Sequence, residues 1–331
     1  MKIPHGLWLG ASALLFVAAQ TAVAQTASTA SALSYPSKPI RIVVPSGAGG
    51  ITDFLVRIVG QKLAENLGQQ VLIDNRIGAS GIVGSEIVAK AAPDGYMLLM
   101  VFPSHPANPS LYAKMPYDTV NDFAPITMVS GVQLVLTVTQ SLPAKSVKEL
   151  VALAKSNPGV LNYGSTGKGS LGHLASELLR SMTGAQITHV PYKGAPHVIT
   201  ALISGEIGMF FDPPITAVPQ VKAGKTRALG VSTAKRLAVL PDVPTVAEAG
   251  VPGFEVLGWN GILAPAATPK PIIDKLHNEI VKVLRSPDVV ERFTQNGVQA
   301  IANTPAEFAA IVKADVAKWA KVIQSAGIRP E

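Results

Sequence analysis

The stretch that decides the fold is Pro39-Ile40-Arg41-Ile42-Val43-Val44-Pro45, followed directly by Ser46-Gly47-Ala48-Gly49-Gly50-Ile51-Thr52-Asp53. Its apolar first half predicts a buried strand, and its second half predicts a glycine-rich turn that leads into a helix. The first N–H groups of a helix have no partner inside it, and with the helix dipole they form an anion-binding site. We therefore predict a first ligand-binding turn, formed by Ser46, Gly47, Ala48, Gly49, Gly50, Ile51, Thr52 and Asp53.

A second strand, turn and helix of the same kind lies in the other half of the chain. Residues 160–165 are predicted as a strand, and the glycine-rich turn 164–170 leads into a helix that ends near Met182. Two such turns that face each other suit a small carboxylate, because each offers main-chain donors and hydroxyl groups. The candidate ligand-binding residues of the second turn are Ser165, Thr166, Gly167, Lys168 and Ser170.

The alternation of predicted strands and helices indicates an α/β fold with two lobes. Residues 39–101 read as strand, helix, strand, helix and strand, which implies a parallel sheet, and 102–125 read as irregular. An outgoing strand is predicted at 133–139 and a returning strand at 256–263, so the middle third of the chain is predicted to be an inserted domain. Domain 1 is then 35–132 with 264–331, domain 2 is 133–263 with a hinge strand at each end, and the cleft between them binds the ligand.

The first residues have the layout of a cleaved export signal. Lys2 supplies the positive charge, an apolar core follows, and Ala22-Val23-Ala24 fits the small-residue cleavage rule. Residues 1–24 are therefore predicted to be a signal peptide, 25–34 a disordered leader, and the mature protein periplasmic. The chain has no cysteine, a net charge of +7 from scattered lysines and arginines, and 5% aromatic residues. This composition excludes a disulfide framework and argues against a nucleic-acid partner.

Catalytic and metal-binding patterns are weak in this sequence. The histidines lack the paired spacing of a zinc site, and we predict neither a metal nor a cofactor. Ser170 and His173, with Asp212, could form a catalytic triad in space, but a serine at the start of a helix is explained by capping. We predict a binding protein rather than an enzyme, and an exported serine hydrolase that uses Ser170 and His173 remains the alternative.

Ordered motifs along the mature chain resemble those of one protein family. They include Tyr35-Pro36-Ser37-Lys38-Pro39, Asp74-Asn75-Arg76, Pro93-Asp94-Gly95-Tyr96, Asn108-Pro109-x-Leu111-Tyr112, His189-Val190-Pro191-Tyr192 and Leu240-Pro241-Asp242-Val243-Pro244. This set resembles the Bug-type receptors, the extracytoplasmic substrate-binding proteins of the tripartite tricarboxylate transporter family. The resemblance implies a type II periplasmic-binding-protein fold, in which two α/β lobes are joined by two crossing strands and close around a ligand.

The resemblance also implies a function and partners. A receptor of this kind binds a small carboxylate through the main chain of both turns, partly through water, and delivers it to the membrane components of its transporter. We expect a monomer that needs no cofactor. Because some family members are orphan receptors, signalling to a sensor kinase remains a second alternative.

The sequence departs from the family's pattern in the second turn, where Lys168 replaces the more usual asparagine. Lys168 either attracts a second carboxylate group of the ligand or is a solvated loop lysine. Further candidates for lining the site are Phe102, Ser104, Asp212 and Trp259. For the two aromatic residues, packing in the core or at the hinge is the alternative role.

Overall fold

The strands of the protein are divided between two sheets. The computed structural model describes residues 35–192, 194–296 and 298–328, and the predicted signal peptide (1–24) and leader (25–34) lie outside these residues. Within the described residues, one sheet has six strands, the other has five, and helices pack against both. Below, the six-stranded sheet with its helices is the first lobe, and the five-stranded sheet with its helices is the second lobe. This arrangement is the predicted two-lobed α/β fold.

The first lobe begins with the predicted unit of three strands and two helices. Along the chain these are β1 (Ile40–Val44), α1 (Ile51–Leu67), β2 (Val71–Asn75), α2 (Ile82–Ala89) and β3 (Met97–Val101). β1 pairs in parallel with both β2 and β3. Four of its five side chains are buried completely, and burying one such side chain contributes roughly 1.5–3 kcal/mol. The apolar run therefore forms a central strand, and the turn after it opens at the carboxyl edge of the sheet.

Three antiparallel strands complete the first sheet, and only one of them was predicted. These strands are β4 (Phe123–Val132), β10 (Gly258–Pro265) and β11 (Gln299–Ala300). β10 lies between β3 and β4, and β11 pairs with the other edge of β4. The prediction of irregular structure up to residue 125 was wrong at its end, because β4 begins at Phe123. A strand that is buried on both faces does not alternate between apolar and polar residues, so β4 gave no clear pattern.

The second lobe contains the other glycine turn. Its elements are β5 (Val135–Thr139), α4 (Val147–Ser156), β6 (Asn162–Ser165), α5 (Leu171–Thr183), β7 (Thr188–Pro191), α6 (Ala195–Ser204), β8 (Met209–Asp212), α7 (Pro214–Lys222) and β9 (Thr226–Val231). β6 is parallel to β7 and β8, whereas β5 is antiparallel to β8 and β9. The start of α5 therefore lies beyond the carboxyl end of β6, where open parallel sheets bind ligands.

The described chain passes between the sheets at 133–134, at 232–257 and again along its last helix. α3 (Asn108–Leu111), α8 (Lys270–Leu284), α9 (Pro287–Gln295) and α10 (Pro305–Ser325) complete the helices. Phe308 and Val312 of α10 are buried in the first lobe, whereas Trp319, Val322 and Ile323 are buried among second-lobe residues. The domain boundaries stay a prediction, and the structure differs from them in two places. β10, predicted as the returning strand of domain 2, is a strand of the first sheet, and the end of α10 packs in the second lobe. None of the described helices has both the length and the apolar composition to cross a membrane.

Candidate binding cleft

A cleft of about 430 Å³ lies between the two lobes. This volume suits a small molecule, since ligand pockets usually enclose roughly 300–1,000 Å³. The start of α1 and the start of α5 both border the cleft, one from each lobe. The lining residues are Ile51, Thr52, Ser80, Phe102, Pro103, Ser104 and Tyr112 from the first lobe and Thr166, Gly167, Lys168, Ser170 and Leu171 from the second.

The structure brings part of the predicted site together. The predicted residues that line the cleft are Ile51, Thr52, Phe102, Ser104, Thr166, Gly167, Lys168 and Ser170. The predicted residues that do not line it are Ser46, Gly47, Ala48, Gly49, Gly50, Asp53, Ser165, Asp212 and Trp259. Several of the second group instead hold the lining residues in place, and a binding role for either group stays a prediction.

Asp53 holds the first glycine turn from inside. Its Oδ2 accepts hydrogen bonds from the main-chain N–H of Gly49 at 2.9 Å and from Nε of Arg57 at 2.8 Å. Nδ2 of Asn75 donates both to Oδ1 of Asp53 and to the carbonyl of Ser46, each at 3.0 Å. The hydrogen bond from Arg57 is the main reason why the pKa of Asp53 is lowered to about 2. The N–H of Gly49, which has a φ of +81°, is therefore used within the turn.

Thr52 ties the start of α1 to the central strands of the first lobe. Its hydroxyl donates to Oδ1 of Asn260 on β10 at 2.9 Å. Nδ2 of Asn260 in turn donates to Oγ of Ser130 on β4 at 3.2 Å. All three residues are buried. The hydroxyl of Thr52 is thus directed into the lobe, and the polar groups that α1 offers to the cleft are the N–H groups of its first turn.

Ser80 and Tyr112 also line the cleft, although neither was predicted from the sequence as a site residue. Gly78, Ala79, Ser80 and Gly81 form a tight turn in which every φ is positive, with values of 151°, 44°, 51° and 93°. For the alanine and the serine this conformation costs about 1–2 kcal/mol each. A Cβ on Gly81 would lie 2.9 Å from the ring of Phe102, so this position requires glycine. The signal in the sequence was that this turn closely follows the family motif at 74–76 and that Tyr112 is the last residue of the motif at 108–112.

The second turn is held by Ser165 and His189 behind it. Oγ of Ser165 accepts a hydrogen bond from the N–H of Gly167 at 3.1 Å and lies 2.6 Å from Nε2 of His189. Ser165 is completely buried, which explains why it supports the cleft without lining it. Gly167 has a φ of +128°, and open space surrounds the position that a Cβ would take. At Gly167 the turn therefore presents main chain to the cleft.

His173 fixes the next part of the same turn. Its Nδ1 accepts a hydrogen bond from the N–H of Gly169 at 3.0 Å, so this nitrogen carries no proton. The ring stacks on His189, with 4.2 Å between ring centroids, and the ring of His189 stacks on Tyr163 at 4.9 Å. Burial lowers the pKa of His173 to about 3 and that of His189 to about 4. Both rings are therefore neutral at neutral pH, as the hydrogen bond from Gly169 requires.

The geometry does not support a serine hydrolase. Oγ of Ser170 caps α5 by accepting a hydrogen bond from the main-chain N–H of His173 at 3.4 Å. The carboxylate of Asp212 accepts a hydrogen bond from the hydroxyl of Thr216. Across the described residues, no hydrogen bond joins the Ser170 hydroxyl, the His173 ring and the Asp212 carboxylate. The hydrolase alternative therefore lacks the contacts that a triad needs.

Two residues that were predicted to line the cleft are buried elsewhere. Trp259 is 2% exposed, its Nε1 donates to Oδ2 of Asp315 at 2.6 Å, and its ring meets Phe308 edge-on at 5.1 Å. Asp212 is also 2% exposed and lies at the end of β8, where burial raises its pKa to about 7. Trp259 is thus packed in the core under α10, which is the alternative role given for it above. Asp212 joins β8 to the first turn of α7.

A family model described as the tripartite tricarboxylate transporter family receptor matches residues 55–328. The UPF0065 protein from the tcbD-tcbE intergenic region of Pseudomonas sp. strain P51 is 38% identical over 311 residues, which is 93% of either chain. BugT of Bordetella pertussis is 34% identical over 310 residues, which cover 93% of this chain and 95% of BugT. These relatives match the protein over almost its full length.

Several solved structures are also similar to the protein, both in sequence and in fold, over most of its length. Rpa4515 of R. palustris with adipate has 38% identity and a TM-score of 0.80, and the match covers 90% of this chain and 100% of that one. The periplasmic binding protein BugD has 34% identity and a TM-score of 0.77, with the same coverage. MatC of Rhodopseudomonas palustris with bound malate has 32% identity and a TM-score of 0.76, with 87% and 100% covered. The chain therefore belongs to the receptor family of the tripartite tricarboxylate transporters, whose members are periplasmic solute-binding proteins and not enzymes.

Proposed function

We propose that this protein captures a small carboxylate in the cleft between its lobes and delivers it to the membrane components of a tripartite tricarboxylate transporter. One observation carries the proposal: two helices, of 17 and 13 residues, start at the same cleft from opposite lobes. Each start presents N–H groups and the positive end of a helix dipole. A carboxylate that lies between them is attracted from both sides.

The charge of the lining supports an anionic ligand. Lys168 lines the cleft from the second turn, and no aspartate or glutamate is among the described lining residues. Ion pairs and hydrogen bonds are stronger when closure removes water, because the local dielectric constant falls. The carboxylate-bound structures of two relatives, with adipate and with malate, support the same class of ligand.

The lining also favours a ligand with an apolar body. Ile51, Phe102, Pro103 and Leu171 supply apolar surface from both lobes. A short aliphatic or aromatic acid would bury its carbon skeleton against these residues, at roughly 25 cal/mol per Å² of apolar surface. We therefore propose that the ligand is an acid with an apolar skeleton, and that Lys168 binds a second acid group where the ligand has one.

The experiment is calorimetric titration of the purified mature protein with hexanoate, adipate and malate. The Lys168→Asn variant is expected to weaken adipate binding about tenfold more than hexanoate binding, because only adipate has a second carboxylate. Lys282→Asn, on the outer face of α8, is the matched control and is expected to change neither affinity. Absence of binding by every acid would contradict the carboxylate function. Equal losses for both acids would contradict the role of Lys168 alone.

Delivery is tested separately from capture. Cells that lack this protein are expected to lose uptake of the acid that the purified receptor binds, and the wild-type gene should restore it. Uptake that persists without the protein, together with loss of a transcriptional response to the same acid, would instead favour the sensor-kinase alternative.

A further inference from the structure

We propose that Ser80 and Tyr112 determine ligand specificity: their hydroxyl groups bind a second, uncharged polar group of the carboxylate ligand, such as a hydroxyl or a carbonyl oxygen. This inference rests on the carboxylate-binding function proposed above. It adds that the first-lobe wall distinguishes ligands that carry such an oxygen from plain fatty acids of the same length.

The two hydroxyl groups form a pair at the cleft surface. Oγ of Ser80 lies 2.9 Å from Oη of Tyr112, and both residues line the cleft. Within the described part of the chain, neither hydroxyl has another hydrogen-bond partner. Each hydroxyl has one hydrogen and two lone pairs, and their mutual bond uses one hydrogen and one lone pair. The pair therefore keeps one donor and several acceptor positions for a ligand.

The other hydroxyls of the first-lobe wall are already used inside the protein. Thr52 donates to Asn260 at 2.9 Å, and Ser104 donates to the carbonyl of Ser80 at 3.0 Å. The remaining described residues of this wall are Ile51, Phe102 and Pro103. The Ser80–Tyr112 pair is thus a polar spot within an apolar wall.

A polar spot of this kind discriminates between ligands through desolvation. When a ligand covers the pair, water is removed from both hydroxyl groups. A ligand with a suitable oxygen replaces the lost hydrogen bonds, whereas a plain alkyl chain leaves them unmade and carries the full penalty. Sites that are built to bond a polar group reject analogues that lack it more strongly than apolar pockets reject a change in size.

The position of Ser80 is fixed before any ligand arrives. Its φ is +51°, a conformation that a serine rarely adopts. Its carbonyl accepts hydrogen bonds from Oγ of Ser104 at 3.0 Å and from Nδ2 of Asn108 at 3.1 Å. Strained backbone persists only where the surroundings hold it, and it concentrates at ligand sites. The turn therefore holds the Ser80 hydroxyl against Tyr112, so that binding need not order it.

The test compares hexanoate, ω-hydroxyhexanoate and adipate, together with the corresponding four-carbon and eight-carbon series, by calorimetric titration. The variants are Tyr112→Phe and Ser80→Ala. The matched control is Tyr192→Phe, which removes a tyrosine hydroxyl that donates to Glu206 outside the cleft. Thermal melting of each variant checks its fold, and Tyr112→Phe keeps the ring even if Ser80→Ala disturbs the strained turn. Hydroxy acids are the key probes because they have one carboxylate, so Lys168 does not distinguish them from the parent acids.

The wild-type receptor is expected to bind at least one hydroxy acid about tenfold more tightly than its parent acid, and Tyr112→Phe is expected to remove that preference. Ser80→Ala should give the same loss, and Tyr192→Phe should give none. A preference that survives in Tyr112→Phe, or no preference in a wild-type receptor that binds the acids, would overturn the proposal and leave the carboxylate function intact. Failure of every acid to bind would overturn both.

Discussion

The main-chain N–H of Gly49 donates a hydrogen bond to Oδ2 of Asp53 across 2.9 Å, so the first glycine turn is closed by the helix that follows it. The same oxygen accepts from Arg57 one turn further along α1. The sequence predicts that this turn contacts the ligand directly, but one of its N–H groups, that of Gly49, is already hydrogen-bonded within the protein. The ligand is left with the N–H groups at the start of α1, which this support aims at the cleft.

Asp53→Asn is expected to lower both stability and ligand affinity. An asparagine has a single acceptor oxygen and no charge, so it cannot serve Gly49, Arg57 and Asn75 together. Loss of these bonds should cost about 1–3 kcal/mol of unfolding free energy and weaken ligand binding about tenfold. Urea denaturation and calorimetry measure the two effects. Asp274→Asn, which removes an exposed ion pair with Lys270, is the control and should change stability by less than about 1 kcal/mol.

The stabilisation by Asp53 should also depend on pH. Its pKa is lowered from 3.8 to about 2 in the folded protein, so the ionised form is the one that folding favours. The contribution of Asp53 to the stability of the fold is therefore present above 3.8, its pKa in the unfolded chain, and is lost as the pH falls through 3.8 towards 2. The stability difference between wild type and Asp53→Asn should shrink over that range. A difference that stays constant down to about pH 2 would contradict the assigned role.

Gly169→Ala is expected to push the second turn away from the first lobe. A Cβ at this position would lie 2.5 Å from Cδ1 of Leu111 on α3, and the φ of Gly169 is +76°. The variant should lose about tenfold in ligand affinity and about 1–2 kcal/mol in stability. Leu111→Ala in the same chain should restore affinity in part, because it removes the clash but not the backbone strain. Loss of affinity of the same size in the double variant would show that the clash is not the cause.

Ligand binding is expected to weaken in acid through His173. The folded pKa of about 3 lies below the usual value of 6.5, so the neutral ring is favoured on folding. The neutral ring contributes its full stabilisation of the folded protein above about pH 6.5, and this contribution is lost as the pH falls through that value towards 3. Once protonated, Nδ1 can no longer accept from Gly169, and the nearby positive charges of Lys168 and Arg180 oppose the proton further. Affinity should therefore fall steeply as the pH approaches about 3.

His173→Asn separates this effect from general acid unfolding. Oδ1 of an asparagine can accept from Gly169 in place of Nδ1, and it does not titrate. This variant should bind at neutral pH with an affinity near that of wild type, and it should lose less affinity in acid. His197→Asn, at an exposed position on α6, should follow the wild-type profile. Identical profiles for wild type and His173→Asn would rule out the histidine as the titrating group.

Asp212→Asn is expected to stabilise the protein at neutral and alkaline pH. Burial raises the pKa of Asp212 from 3.8 to about 7, so the ionised carboxylate is disfavoured in the folded state. Stability is lost as the pH rises through 3.8 towards 7, which is the opposite of the effect of His173. An asparagine keeps an acceptor for the Thr216 hydroxyl and carries no charge. Urea denaturation should show a higher free energy of unfolding for the variant than for wild type, and the gain should be larger near pH 8 than near pH 5. A free energy of unfolding that falls equally at both pH values would refute the argument.

The strand–turn–helix units were predictable because each depends on local features of the sequence. The apolar run of β1 has no other stable place than a sheet interior, and glycines mark where the chain must turn. Ser170 was identified as a helix cap from its residue type and position, and it accepts the expected hydrogen bond. The two-lobed fold followed from counting these units along the chain.

The parts of the cleft that were missed depend on contacts between distant segments. Ser80 and Tyr112 are 32 residues apart, and a turn with positive φ at an alanine and a serine has no signature in residue type. Trp259 reads equally well as a lining or a core residue, and only its bond to Asp315, 56 positions away, decides between them. Tertiary contact therefore chose among side chains that were locally equivalent.

The last helix limits how this receptor can open. α10 has side chains fixed in the interiors of both halves of the molecule, and Arg180 of α5 also donates to the carbonyl of Ala326 just beyond its end, at 2.6 Å. Pulling the halves straight apart would bring either Phe308 and Val312 or Trp319, Val322 and Ile323 into water. A rotation about an axis near α10 keeps both groups covered. The direction in which the entrance widens is thus set by a segment far along the chain from either glycine turn.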